Sequence, residues 1–547
     1  MLDYDKILKE IGQFGCYQAY VVAVAFCLNL LLLSNICFMN FGALMPEMQE
    51  IDCELTNSSS ILAENGSRIC EMVPKNGSYY SAAVEWRFYD KHMRQVPYLA
   101  NTVQMIGFLF GALFAGHFCD LYGRLRTWWL GATGLCASGL CTAVAPNWQI
   151  LVLIRFAVGF ASSTHITAVV TMFAEISSKT HRLWMMTVYL LWELGFIPLS
   201  LIAYFTQNWR WTSVVANVCY FPMFLGLLFV YESPRWLIQK RKDDQAIWTI
   251  RRIAARNGRN WQYEPANSTL VTSPSSVQDT VNNSVMNDIK QQDQMELSNK
   301  PEDAVKSDFI EENPTVGWCY LVSSRTLTHR LVCMCVCSFT TFCVLYQLLF
   351  NVGHLVGNVY LNCVLFGLVK VVPVTCVILL DRFAQVGRKL LLVSALIGCA
   401  VCMFTIAVLN AISPKSSILT VIQTVGSCFL IPALSTCFLY PAELFPTLVR
   451  SRACAVVSTA ARVGTILAPA AMYLQTVWAP LTAIIAVVLC VAASLSALTV
   501  LPETRGRKLP DELLKSEVTA NDLGTADRID CGRNVLIGVF VGVGNFA

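Results

Sequence analysis

Apolar residues in this chain come in blocks of about 20, the length that crosses a bilayer's hydrocarbon core as a helix. Between blocks the sequence turns abruptly polar. Twelve blocks can be marked, at about residues 19–39, 98–119, 127–144, 149–173, 183–205, 211–231, 330–351, 355–380, 390–409, 418–440, 453–474 and 480–501. Only internally hydrogen-bonded helices cross a membrane as a bundle, because lipid offers backbone groups no partner. The period-two alternation of a membrane barrel is absent. The pattern predicts an all-α membrane protein of twelve transmembrane helices.

A charged pattern recurs along the blocks. Glu175 precedes Arg182 by seven residues, and Glu443 precedes Arg450 by seven, 268 residues further on. Asp120 with Gly123-Arg124 is echoed by Asp381-Arg382 with Gly387-Arg388, and Glu232-Ser233-Pro234-Arg235 by Pro502-Glu503-Thr504-Arg505. Matching charges at matching helix ends point to two six-helix pseudo-repeats, the mark of a parallel-repeat transporter.

Composition narrows the class. Residues are 55% hydrophobic and 14% charged, with a net charge of +4; soluble chains carry about a quarter charged residues. Of the 23 cysteines, most sit in apolar blocks, as Cys333, Cys335 and Cys337 do, where they act as small buried hydrophobes. No paired Cys/His set has zinc spacing. Only Cys53 and Cys70 stand in a polar outer segment open to a disulfide. There is no Gly-x4-Gly-Lys-Ser/Thr phosphate loop for an ATP-driven pump. No nucleophile–base constellation points to an enzyme. We expect no cofactor, no metal and no nucleic-acid partner.

Basic residues orient the chain. Arg124 and Arg126, Lys179 and Arg182, Arg235 and Lys240–Lys242 with Arg241, Arg382 and Arg388, Arg450 and Arg452, and Arg505 with Arg507 all follow even-numbered helices. Both termini are therefore expected in the cytosol, in a multi-pass protein of the plasma membrane. The expected organisation is an N-terminal half (1–240) with an outer loop (46–97), a partly disordered cytosolic linker (241–329), a C-terminal half (330–503) and a cytosolic tail (504–547). The outer loop carries sequons at Asn57, Asn65 and Asn76, read as glycan acceptors. The linker's start, 243–257, has helical spacing and basic residues, and is expected against the membrane surface. Its middle is polar and poor in aromatics. The tail's apolar end, 535–547, is too short to span.

At this point the motifs carry a resemblance. Gly116-His117-Phe118-Cys119-Asp120-Leu121-Tyr122-Gly123-Arg124 resembles the loop signature of the major facilitator superfamily, and Arg155-Phe156-Ala157-Val158-Gly159 its fourth-helix motif. With Glu232-Ser233-Pro234-Arg235 after helix 6 and Pro441-Ala442-Glu443-Leu444-Phe445-Pro446-Thr447 after helix 10, the chain resembles the organic-ion transporters, carriers of organic cations, carnitine and organic anions. Ser458-Thr459-Ala460-Ala461-Arg462-Val463-Gly464 is similar to the anion-carrier form, with Arg462 where cation carriers have Asp. There are departures: Leu121 replaces the usual Arg, the Asp381–Arg388 loop is longer, and helix 8 reads Lys370-Val371-Val372-Pro373 without the usual Glu. The resemblance implies alternating access and a small organic ion as cargo, with a counter-ion or an exchanged dicarboxylate as further partner.

Charges inside spans are expensive and default to function. Arg462, a permanent planar cation, suits carboxylate or sulfate. Lys370 either reinforces it or pairs with a carboxylate. Glu193 has three readings: an ion pair with Arg462 or Lys370, a cation site beside Trp192, or a titrating group. Arg155 reads as structural and His165 as packing. Tyr189, Trp192, Tyr346 and Tyr360 offer aromatic cavity walls, and Asn35 and Gln347 offer hydrogen bonds. Asp120, Arg124, Glu175, Arg182, Asp381, Arg388, Glu443 and Arg450 are expected to gate the cytosolic end as ion pairs. The favoured cargo is an organic anion. The alternatives are a cation or zwitterion, or a non-transporting receptor with the same fold.

Overall fold

The computed structural model describes residues 4–12, 14–45, 48–50, 61–62, 68–69, 72–74, 79–177, 190–261, 325–380, 386–412 and 416–504. Helical segments occupy all twelve predicted spans. They are α1 (Cys16–Ile36), α2 (Val96–Tyr122), α3 (Arg124–Ala143), α4 (Trp148–Ile176), α5 (Phe196–Thr206), α6 (Trp209–Val218), α7 (Arg325–Phe350), α8 (Val359–Val369), α9 (Arg388–Ile412), α10 (Ser417–Leu444), α11 (Thr447–Tyr473) and α12 (Leu481–Val500). Among the described residues, nine helices are long and apolar enough to cross a membrane. Two short strand pairs, Met48–Glu50 with Met72–Pro74 and Ile61–Leu62 with Arg68–Ile69, lie between α1 and α2. The sequons, Cys53, Cys70, Arg182, Tyr189, Asp381 and the tail 505–547 lie outside the described residues.

Three spans expected to be single helices are broken. A 3-10 turn, Leu190–Gly195, precedes α5. α6 stops and resumes as Phe221–Leu227, with Pro222 at the restart. α8 stops at Lys370 and resumes as Val371–Leu379. Pro373 lacks the N–H that would bond the carbonyl of Val369, so the backbone yields there.

The first half is stitched at its Arg155 level. Arg155 is fully buried, and its Nε donates to Gln104 Oε1 at 2.9 Å. A second guanidinium nitrogen donates to the carbonyl of Asn35. Gln104 Nε2 donates to the carbonyl of Ile36 at 3.1 Å, so α1, α2 and α4 share one network. The α2–α4 approach requires glycine: a Cβ on Gly159 would lie 1.8 Å from the carbonyl oxygen of Gln104. α5 packs along α8 and α2 along α11, forming the two seams between halves.

The linker's first helix, Asp243–Arg256, does not lie alone on a membrane surface. Its apolar face is buried, and the residues after it hold the chain's start. Asn257 Oδ1 accepts from the Tyr17 N–H at 3.0 Å, and Trp261 Nε1 donates to Glu10 at 2.9 Å. The basic residues that suggested membrane contact partly face aromatics instead, with Arg256 5.0 Å from the ring centre of Tyr231.

Replacing Gly159 by Leu should abolish folded protein. Overpacking costs about 1–3 kcal/mol even where side chains can yield, and here the obstacle is backbone. Size-exclusion profiles of the purified variant check this, with Ala157→Leu at an exposed neighbouring position as the control that stays monodisperse.

Candidate functional site

The recurring charges assemble into two copies of one knot at the same end of the bundle. In the first, Glu232 accepts from the N–H groups of Arg124 at 2.8 Å and Leu125 at 3.0 Å, capping the start of α3. Arg124 in turn reaches Glu175 at 2.8 Å and Asp120 at 3.1 Å. In the second, Glu503 accepts from the N–H groups of Arg388 at 2.7 Å and Lys389 at 3.2 Å, capping α9. Arg388 reaches Glu443 at 3.5 Å. A carboxylate at a helix N-terminus meets unpaired N–H groups and the positive end of the dipole. Burial pushes the Glu232 carboxyl up, and those N–H groups pull it back.

Each knot needs a glycine. Gly123 has φ +105°, and a Cβ there would lie 2.4 Å from Glu232 Oε2. A Cβ on Gly387 would lie 2.1 Å from Glu503 Oε2. Among the described residues, Arg124 faces Glu175 and Arg388 faces Glu443. Arg450 Nε donates to the carbonyl of Phe445 at 3.1 Å. Glu232 and Glu503 were visible in the sequence as echoes, but their capping role was not.

The bundle's middle holds a second cluster. Lys370 Nζ lies 2.9 Å from Glu193 Oε2, and both side chains are fully buried. The lysine also donates to the carbonyl of Ser427 at 3.0 Å and sits 4.8 Å from the ring centre of Phe366. Among the described residues the Glu193 oxygens have no hydrogen-bond partner, and the Lys370 ammonium at 2.9 Å faces the carboxylate by charge. The breaks in the chain create this meeting: Glu193 comes from the 3-10 turn and Lys370 from the gap in α8.

Tyr346 on α7 is buried. Trp192 packs on it with ring centres 6.5 Å apart. Arg462, half-buried on α11, lies 4.3 Å from the ring centre of Phe108 on α2. The structure thus brings together Tyr346, Trp192, Glu193 and Lys370, with Arg462 on α11 against Phe108. A guanidinium, two aromatic faces and a neutralised ion pair can bind a flat organic ion.

Two expected hydrogen-bonding residues are engaged elsewhere. Asn35 Nδ2 donates to Asn217 Oδ1 at 3.0 Å and to the carbonyl of Leu31 at 3.2 Å. Gln347 Nε2 donates to the carbonyl of Thr482 at 3.2 Å, beside a separate cavity of about 90 Å³ with Asn351, Asn410 and Gln423 in its wall. His165 is buried against Trp128, with ring centres 6.2 Å apart. Among the described residues, no group of three or more His, Cys, Asp or Glu could hold a metal.

The end opposite the knots joins the halves. Asn40 Nδ2 donates to the carbonyl of Leu349 at 3.1 Å. Tyr360 stacks on Phe41 with ring centres 5.7 Å apart, and Ser200 donates to its carbonyl at 2.7 Å. Tyr98 stacks on His354 at 6.4 Å.

Comparison with known proteins identifies the frame that carries these sites. The "Sugar (and other) transporter" family model matches residues 21–512. The chain is 27% identical over 503 residues to rat (Rattus norvegicus) "Solute carrier family 22 member 3", covering 88% of this chain and 81% of the relative. It is 26% identical over 552 residues to rat (Rattus norvegicus) "Solute carrier family 22 member 6", covering 93% of each. It is 30% identical over 485 residues to "Organic cation/carnitine transporter 4" of Arabidopsis thaliana, covering 85% of this chain and 82% of the relative. Among solved structures it is similar to an inward open conformation of the xylose transporter XylE from E. coli, with a TM-score of 0.58 and 16% identity, covering 91% of this chain and all of that one. That likeness shows the fold. With two halves repeating one charged knot, and a family model matching nearly the whole length, the chain belongs to the sugar (and other) transporter family of the major facilitator superfamily, among its organic-ion carriers, and is a transporter rather than an enzyme.

Proposed function

We propose that this transporter carries small organic anions by alternating access, with Arg462 as the group that holds the anion. One observation carries the reading. Glu193 and Lys370 face each other at 2.9 Å and neutralise one another, and Arg462 brings a guanidinium to the same divide between the halves, 4.3 Å from the ring centre of Phe108. A planar, weakly hydrated guanidinium binds carboxylate or sulfate through two parallel N–H donors. Trp192 and Tyr346 supply the apolar faces for the organic body.

In this reading the knotted end faces the cytosol, by the basic residues at that end, in the plasma membrane. The contacts of Asn40, Tyr360 and Tyr98 close the outer end. An exchanged dicarboxylate or a counter-ion would meet the same cluster from the other side of the membrane.

A cation or zwitterion carrier is the competing reading. Trp192 adjoins Glu193, and a relative is named for organic cations and carnitine. An ammonium group would then take the place of Lys370 beside Glu193.

Uptake of a labelled organic anion and a labelled organic cation, in wild type and Arg462→Asp, separates these readings. The anion reading expects wild-type anion uptake to fall at least about tenfold in the variant, because a charge-assisted hydrogen bond of about 1.5–3 kcal/mol is lost. Cation uptake alone in wild type supports the competing reading, and no flux of either solute supports a non-transporting receptor.

The ion pair gives a second prediction. Glu193→Gln leaves a buried Lys370 uncompensated, which costs about 3–5 kcal/mol. Its melting temperature in detergent should fall well below wild type, and Glu193→Gln with Lys370→Met should recover most of the loss. A double variant no more stable than the single one would mean that the pair is not what Lys370 depends on.

The knots give a third. Glu443→Gln removes the charge facing Arg388, an interaction worth about 0–1 kcal/mol at partial exposure. Turnover should fall while surface expression persists. Unchanged flux at equal expression would mean that transport does not depend on this contact within the second half.

A further inference from the structure

An apolar groove of about 610 Å³ runs between α7, α11 and α12 on the second half. Val332, Val336 and Phe339 line it from α7, Val456 and Val463 from α11, and Leu489 from α12. Val332 is 56% exposed and Val463 39% exposed, so the groove is open laterally. In a multi-pass membrane protein such a face meets lipid, not water.

The groove's length and its mouth narrow the occupant. Its α7 wall runs from Leu331 to Thr340. At 1.5 Å rise per residue this is about 14 Å, close to half of a hydrocarbon core about 30 Å thick. It therefore accommodates the chains of one leaflet.

The α7 and α11 walls each carry a cation where the groove reaches the knotted end. On α7, Arg325 is seven residues and His329 three residues before Val332, which places all three on one helix face. Both are exposed. On α11, Arg452 lies four residues before Val456 and seven before Thr459, again on one face. Lys389 of α9 reaches the end of α12, where its Nζ donates to the carbonyl of Leu498 at 2.8 Å. Apolar walls one leaflet long, ending in basic side chains, match a glycerophospholipid with an anionic headgroup. Each basic residue near an anionic surface contributes about 1 kcal/mol.

We propose that this groove is a binding site for an anionic glycerophospholipid, its acyl chains along α7 and α11 and its headgroup at Arg325 and Arg452. The site is separate from the central cluster and does not depend on which ion is carried. It adjoins that cluster through α11, where Val463 lines the groove and the preceding Arg462 faces Phe108.

The test is native mass spectrometry of the full-length protein, extracted and exchanged into equimolar phosphatidylglycerol and phosphatidylcholine. Wild type should retain phosphatidylglycerol in at least about fivefold excess. Arg325→Ala with Arg452→Ala should bring the ratio near one, consistent with losing about 1 kcal/mol per basic residue. Ala492→Trp, at an exposed groove position, should reduce retention of both lipids. Phe404→Trp, exposed on α9 outside the groove, should change neither. Equal retention of the two lipids by wild type overturns the proposal. So does a preference that survives the double Arg variant, or retention that Ala492→Trp leaves intact. Arg325→Ala alone, at an exposed helix end, gives the same readout if the double variant does not fold.

Discussion

A lysine and a glutamate shut away from water can coexist only by facing each other. Desolvating either charge alone is costly, and their mutual attraction offsets this only at close range. Lys370 and Glu193 meet that condition at 2.9 Å with no exposure. The constraint reaches into the backbone. Glu193 is delivered by a 3-10 turn and Lys370 by the gap that Pro373 opens in α8. Regular helices through both positions would place the two side chains differently. Trp192, next to Glu193 in the chain, packs on Tyr346, and Arg462 stands at the same divide between the halves against Phe108.

The knots solve a different problem. A loop between two spanning helices must present helix ends whose N–H groups have no partners. Here a distant carboxylate, Glu232 or Glu503, fills that role in each half. Gly123 and Gly387 leave the space for it. Because each carboxylate binds backbone as well as facing an arginine, the knot fixes the loop rather than merely attracting it.

Much of the architecture was legible in the sequence because it rests on one-dimensional signals. Apolar block length marked the spans, and repeated charges marked the halves. The breaks were less legible. Pro222 and Pro373 were in plain view, yet long apolar runs around them read as continuous helix. Partner choice was only partly legible: Asp120 and Arg124, four residues apart, do meet, but pairs between distant segments stayed open. Periodicity says which helix face carries Glu193, but not whether Lys370 or Arg462 lies across from it, since that depends on how two helices pack. The same limit applies to Asn35, whose amide the fold turns to Asn217, and to Gln347, which sits beside Thr482. The linker helix Asp243–Arg256 showed its amphipathic pattern, but not that residues 10–20 would be its partner.

Where charge crosses between halves decides what the two-body arrangement can do. Arg124 with Glu175, Arg210 with Glu85 and Arg388 with Glu443 each stay within one half. Lys370 with Glu193 joins the second half to the first, and Arg462 reaches Phe108 across the same divide. The outer contacts between halves are aromatic stacks and neutral hydrogen bonds, which part without stranding a charge. Rocking one half against the other therefore leaves the knots intact and separates the outer end at modest cost. At the centre it must strain a buried ion pair. In the reading proposed above, an ion arriving there would compensate whichever charge the movement exposes, and the central cluster would link occupancy to motion.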